Sequence, residues 1–219
     1  MPQYTLPFSQ TPRYHEVDFI VSGCNRTAFE LVGSWPDWAA LLLVGPKGSG
    51  KTHLGHVWAV RAKASIIPAA RLDPQTITTH CLIEDIAQAE PETLFHAINM
   101  GKENRVSLLL TAERPAKQLG FTLPDLTSRL AAMPVASIGA PDDTALAGVL
   151  RKQFADRQID APTEVVEYLL ARTERSFAAV TAWVEYLDSA MWREKRNLTV
   201  AFVRDVLAHT PVKTPADRA

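Results

Sequence analysis

Residues Gly45-Pro46-Lys47-Gly48-Ser49-Gly50-Lys51-Thr52 fill every fixed position of the pattern G-x-x-x-x-G-K-[S/T]. Ahead of them runs Ala39-Ala40-Leu41-Leu42-Leu43-Val44, an apolar stretch of strand length. Behind them comes His53-Leu54-Gly55-His56-Val57-Trp58-Ala59-Val60-Arg61, which reads as a helix. Strand, glycine loop and helix in that order make an anion cradle. Glycine lets backbone amides close around phosphate oxygens, and the helix N-terminus adds partial positive charge at the same place. Lys51 can reach the β- and γ-phosphates of a nucleotide, and Thr52 can ligate Mg²⁺. Gly45 to Thr52, with His53, are therefore the candidate binding residues for ADP or ATP.

The rest of the chain decides what surrounds that loop. Ala64-Ser65-Ile66-Ile67-Pro68, His80-Cys81-Leu82-Ile83-Glu84-Asp85 and Arg105-Val106-Ser107-Leu108-Leu109-Leu110-Thr111 read as further strands. Thr27 to Val32, with Asn25 as N-cap, and Pro91 to Met100, with Leu94, Phe95 and Ile98 on one face, read as helices. Strands alternating with helices imply an α/β fold, a parallel sheet covered on both faces. After Ile138-Gly139-Ala140-Pro141 no strand-like run follows. Asp142 to Arg157, Pro162 to Arg172, Phe177 to Arg193 and Val200 to Leu207 are helix-like. Thr163 or Asp160 is the expected cap of the second and Thr199 of the last. The expected organisation is an extended segment over 1–14, an α/β domain over 15–140, a small helical domain over 141–210 and a tail over 211–219.

Composition narrows the partners. The 219 residues are 47% apolar, enough for a buried core. They carry 23 basic and 24 acidic side chains, whereas surfaces that grip nucleic-acid phosphates need a basic excess, so direct sequence-specific DNA binding is not expected. The two cysteines, Cys24 and Cys81, have no metal-ligand spacing. With no signal peptide and no apolar run long enough for a bilayer, a soluble cytoplasmic protein without membrane contact is expected.

A nucleotide site also needs acids at a neighbouring strand end. Glu84 is the candidate Mg²⁺ ligand and Asp85 the candidate water-polarising group. Sites of this kind more often place Asp first and Glu second. The exchange of side-chain lengths would misplace the catalytic carboxylate by roughly an ångström, so weak intrinsic hydrolysis is expected. Thr111 and Glu113, in Leu110-Thr111-Ala112-Glu113-Arg114-Pro115, are both candidates for sensing the γ-phosphate.

The phosphate loop, the Glu84-Asp85 strand end, the 110–115 stretch and Leu126-Thr127-Ser128-Arg129-Leu130 occur in the order seen in AAA+ ATPases, and the set resembles the DnaA branch. Asp18 to Arg26, with Phe19, Ile20 and Val21, looks like the segment that wraps adenine there. Leu94-Phe95-His96-Ala97-Ile98-Asn99 is similar to the stretch after that branch's acidic strand. The resemblance covers roughly residues 15 to 208, and it implies a nucleotide-binding core followed by a helical lid. It also implies that Arg129 projects into a neighbour's nucleotide site, as a catalytic arginine acting in trans. Ala178 stands where the lid usually offers an arginine, with Arg175 about a turn earlier as a substitute. This fits a protein that holds ADP as a structural ligand. The interval between Lys51 and Glu84 is short for the branch, so a strand or helix is expected to be trimmed.

A DNA-binding helix-turn-helix after the lid is not expected, and near the N-terminus stands Gln3-Tyr4-Thr5-Leu6-Pro7-Phe8. This resembles the Q-x-x-L-P-[L/F] peptides that dock on the replicative sliding clamp, with Gln3, Leu6 and Phe8 as anchors. The resemblance implies a regulator of replication initiation with two partners, the DNA polymerase III sliding clamp and DnaA. It would stimulate hydrolysis of DnaA-bound ATP and so switch the initiator off. The same resemblance allows a homodimer. The alternatives are a non-catalytic nucleotide-gated adaptor and a helicase-loader-type ATPase.

Overall fold

The computed structural model describes residues 16–209. The candidate clamp peptide with Gln3, Leu6 and Phe8, and the tail beyond 209, lie outside the described residues.

Five strands form one sheet: β1 (Ala40–Val44), β2 (Ser65–Pro68), β3 (Cys81–Glu84), β4 (Leu108–Ala112) and β5 (Val135–Ser137). Their order is β2-β3-β4-β1-β5, and every pairing is parallel. β1 and β4 are central and buried on both faces, which is why they read as unbroken apolar runs. Side-chain alternation then divides the core in two. Leu42, Val44, Ile83, Leu108 and Leu110 pack against α3 (Pro91–Glu103) and α4 (Pro124–Ala131). Leu41, Leu43, Leu82 and Leu109 face α1 (Arg26–Gly33) and α2 (Lys51–Ala62), where Trp58 and Trp38 lie 5.5 Å apart. Leu41, Leu42 and Leu43 are all 0% exposed. Their burial alone contributes on the order of 5 kcal/mol.

The lid comprises α5 (Asp143–Asp156), α6 (Thr163–Leu170), α7 (Phe177–Glu194) and α8 (Val200–His209), around a separate core that includes Leu150, Phe154, Val184, Leu187 and Phe202. Asp142 and Ser176 cap α5 and α7 through their side chains, and the Thr199 hydroxyl accepts from the amide of Phe202.

The structure corrects several expectations. The sequence does not show β5 as a strand. In the short interval between Lys51 and Glu84, the β2–β3 connection turns through two 3₁₀ segments, Ala69–Arg71 and Pro74–Thr76, with no α-helix. Neither Thr163 nor Asp160 caps α6. Pro162 stands at that position, and its carbonyl takes the amides of Val165 and Val166 at 3.0 and 3.2 Å. Asn25 is at the α1 N-cap but does not cap with its side chain. Its amide group binds back to the amide of Ser22 and the carbonyl of Ile20, both at 2.9 Å, and so shapes the segment before the helix.

Candidate nucleotide-binding site

The loop between β1 and α2 has the backbone its sequence demands. Gly48 and Gly50 have φ of +73° and +97°, a region L-residues with a Cβ avoid. Gly45 is constrained by space: a Cβ there would lie 2.7 Å from both the Ile138 carbonyl oxygen and Ser49 Oγ. Ser49 Oγ is buried without a hydrogen-bond partner among the described residues. The Lys51 ammonium donates to the carbonyls of Gly45 at 2.6 Å and Pro46 at 2.9 Å. Burial lowers its pKa, and the carboxylates of Glu113 and Asp85 oppose that shift. The fold thus brings the ends of β1, β3 and β4 to one place, and with them a cation and two of the expected acids.

The acids differ in their surroundings. Glu84 ends β3 with Oε1 3.6 Å from His56 Nε2 on α2. Asp85 follows in the left-handed region, at φ 55° and ψ 65°. Its amide donates to Thr111 Oγ1 at 2.9 Å, and Oδ2 accepts from Gln88 Nε2. Thr111 is buried, and its hydroxyl keeps its own proton to donate. Glu113 is exposed. The two sensor candidates therefore stand in opposite environments, one fixed between strands and one at the surface within the field of Lys51.

Phe19, Ile20 and Val21 are half-buried. Phe19 stacks on Phe29, with centroids 5.6 Å apart, and meets His53 edge-on at 5.4 Å. Ile20 instead touches the lid: a Cβ on Gly148 of α5 would lie 2.9 Å from Ile20 Cγ2. The lid also reaches the loop directly. Ser176 Cβ lies 3.7 Å from the Cβ direction of Gly48, and the Phe177 ring 3.6 Å from that of Gly50. Arg175 is exposed and pairs with Asp143 at 3.2 Å, at the start of α5. Ala178, in the first turn of α7, is exposed. Thr52, next to Lys51, is exposed as well.

Sequence reasoning missed Ser176, Phe177, Gly148 and Asp142. Asp142 Oδ1 accepts from the amide of Ala145 at 2.7 Å, and Oδ2 from the amide of Cys24 at 3.3 Å. These bonds, that of Ala145 foremost, hold its carboxyl below the ordinary range. Only its place before a helix was a signal; the partner at Cys24 is far away in sequence.

Arg129 is elsewhere. It lies in the last turn of α4, on the sheet face opposite α2, half-exposed, with its guanidinium 5.5 Å from the centroid of Phe95. It borders Ala40 and Leu108, the first residues of β1 and β4, whereas the phosphate loop follows the last residue of β1. Among the described residues, no helix is long and apolar enough to cross a membrane.

Comparison with known proteins agrees with this arrangement. Residues 142–207 match the family model described as the Hda lid domain. Domain III of the Thermotoga maritima replication initiation protein DnaA has a similar structure, with a TM-score of 0.71 at 17% identity, covering 89% of this chain and 97% of that one. AMPPCP-bound DnaA from Aquifex aeolicus gives 0.68 at 19%, covering 82% and 65%. A point mutant of Thermotoga maritima RuvB gives 0.65 at 14%, covering 83% and 65%. The five-stranded parallel core shares the fold of these AAA+ structures, and the helical domain that follows it is similar to the Hda lid.

Proposed function

We propose that this chain binds an adenine nucleotide in the Gly45–His53 loop and promotes hydrolysis of ATP held by a DnaA subunit, acting through Arg129. The loop fits a diphosphate. Its positive-φ glycines open the backbone, a Cβ at Gly45 would fill it, and Ser49 Oγ is a buried polar atom with no partner among the described residues. AMPPCP is named with two of the DnaA structures that share the fold. Lys51 would neutralise phosphate charge, and Phe19, Ile20 and Val21 would flank the base. Thr52, with Glu84, would hold Mg²⁺, which supplies charge neutralisation between phosphates when bound. One or two protein ligands suffice for that ion. Ala178 brings no charge to the first turn of α7, and Arg175 is engaged with Asp143. The reading therefore favours ADP held for shape over rapid turnover. Asp85, beside Lys51, leaves room for weak intrinsic hydrolysis, with Thr111 or Glu113 as the phosphate-sensing group.

The observation that carries the trans reading is the place of Arg129. A half-exposed guanidinium beside the starts of β1 and β4 is remote from the phosphate loop beyond the end of β1. It is held over Phe95, where the ring face favours a cation. In a neighbour's site such a group stabilises charge on the transferring phosphoryl, typically worth 10³–10⁵ in rate. Docking on the sliding clamp through Gln3, Leu6 and Phe8 would bring the chain to newly replicated DNA.

Reconstitution tests this. ATP-loaded DnaA, clamp loaded on DNA and this chain are mixed, and phosphate release is followed. The parent should stimulate release, and Arg129→Ala should reduce the stimulated rate at least a hundredfold. Equal stimulation by parent and variant refutes the role of Arg129. Loss of stimulation without residues 1–8, restored at high protein concentration, would support clamp docking. The rival reading, a nucleotide-gated adaptor, requires DnaA binding with no stimulation by the parent.

A further inference from the structure

The segment that would flank the base is held from two sides. Phe19 turns to the α/β domain, stacked on Phe29 at 5.6 Å and edge-on to His53 at 5.4 Å. Its neighbours turn to α5 of the lid. Asp18 Oδ1 lies 3.3 Å from the Lys152 ammonium. Ile20 Cγ2 lies 2.9 Å from where a Cβ on Gly148 would stand, one turn earlier on the same helix face. The Cys24 amide donates to Asp142 Oδ2 at the start of the helix. Asp18, Ile20 and Cys24 thus meet Lys152, Gly148 and Asp142 in turn. The segment therefore runs along α5 in the opposite direction, over about 15 Å of helix axis.

The two ends of the segment are secured differently. Near Cys24 the chain is closed by Asp142 and by the Asn25 side chain, which bonds Ser22 and Ile20 at 2.9 Å. Beyond Phe19 the anchor to the lid is the Lys152–Asp18 pair, with side chains 30% and 23% exposed. Lys152 also holds Asp156, one turn further along α5, so its ammonium stands between two carboxylates. We infer that Lys152 is a positioning residue for the nucleotide's base. Through Asp18 it holds Phe19, Ile20 and Val21 against the lid, while the Gly45–His53 loop takes the phosphates. This rests on the reading of that loop as an adenine-nucleotide site. A ligand gains affinity from a segment already in its binding conformation, and loses it in proportion to the molecules in which that segment is displaced. The loss falls on the part of the ligand that the segment touches. Binding of ADP should therefore depend on Lys152, and binding of bare pyrophosphate should not.

Competition against a fluorescent ADP analogue measures both ligands in the full chain, and thermal melts establish that the variants fold. Lys152→Glu gathers three carboxylates in one place. It should raise the Kd for ADP about tenfold and leave that for pyrophosphate within about twofold of the parent. Adding Asp18→Lys restores opposite charges and should bring ADP back to within about threefold of the parent. Asp156→Ala leaves the Asp18 pair intact and should change neither ligand by more than about twofold. The inference is overturned if ADP and pyrophosphate weaken together, if neither changes in Lys152→Glu, or if Asp18→Lys brings no recovery. A parent that binds neither ligand would mean instead that the loop reading fails. Hydrogen exchange over residues 18–24 in the nucleotide-free chain then decides the rest. A rise in Lys152→Glu that Asp18→Lys reverses supports the hold of Lys152 on the segment, and unchanged exchange overturns it.

Discussion

Asp142 joins the segment that would flank the base to the first helix of the lid, and its removal should be measurable as both stability and local opening. Truncation to Ala deletes the α5 cap, a bond of 2.7 Å to the Ala145 amide. Loss of such a cap costs about 1 kcal/mol. It also deletes the bond from the Cys24 amide, which at 3.3 Å in a part-buried place is a weak one. We set it at about 0.5 kcal/mol. The sum, about 1.5 kcal/mol, corresponds to a fall in Tm of roughly 3–6 °C for a chain of this size. Asp142→Asn separates the two parts. Asparagine caps as well as aspartate, but it has one acceptor oxygen, so its nitrogen would face the donor of Cys24. Its Tm should fall by only about 1–2 °C, while hydrogen exchange at the Cys24 amide rises as it does in the Ala variant. The folded pKa of Asp142 is depressed. Its contribution is therefore present above the ordinary carboxylate range and is lost as pH falls through the folded value. The Tm gap between parent and Asn variant should be constant from neutral pH to about pH 5 and close below about pH 4. Calorimetric scans across that range, with exchange read by mass spectrometry, decide the matter. Identical melting of the Ala and Asn variants, or a gap independent of pH, would refute the dual role.

Two further substitutions address the loop and the contact between the base-flanking segment and the lid. Gly45→Ala places a Cβ 2.7 Å from a backbone oxygen that cannot swing aside. It should cost about 1–3 kcal/mol of stability and abolish binding of a fluorescent ADP analogue, whereas an unchanged affinity would mean the loop is not the site. Gly148→Ala gains about 1 kcal/mol of helix propensity but drives a methyl to 2.9 Å from Ile20 Cγ2. Alone it should be near neutral; combined with Ile20→Ala in a double-mutant cycle by urea unfolding, it should show a favourable coupling of about 1 kcal/mol. Strict additivity would mean the contact is slack.

The parts legible in the sequence are those whose physics is local. Leu41 to Val44 and Leu108 to Leu110 form strands buried on both faces, so continuous apolarity identifies them without knowledge of their neighbours. The phosphate loop is legible because glycine at 48 and 50 answers a backbone requirement that no other residue meets cheaply. β5 is not legible, because it has three residues, of which only Ala136 is buried. Its pairing with β1 is imposed by the sheet rather than by its own composition. Asp85, Glu113 and Lys51 could each be named as candidates. Their convergence follows from β3, β4 and β1 lying side by side, with their carboxyl ends at one edge of the sheet. The approach of Phe177 to Gly50 joins the lid to the core across a long stretch of sequence and leaves no periodic trace.

The polarity of the strands bears on the choice between regulator and adaptor. In a parallel sheet all carboxyl ends lie together, and the phosphate loop sits there by construction. Arg129 stands near the opposite ends, on a helix whose Leu126 and Leu130 are buried at 0% and 1% exposure. Carrying its guanidinium to the loop of its own subunit would require pulling both leucines from the core. Each such extraction costs about 1.5–3 kcal/mol before any strain is counted. α4 packs in the core beneath the sheet and not in that of the lid. Assistance from Arg129 is therefore intermolecular or absent. A contact in which one surface gives an arginine and a different surface receives it is head-to-tail rather than two-fold. An adaptor could use any surface and has no need for a guanidinium poised over Phe95. A subunit that completes a neighbour's site needs that group, half-exposed and held in place, which favours the regulator.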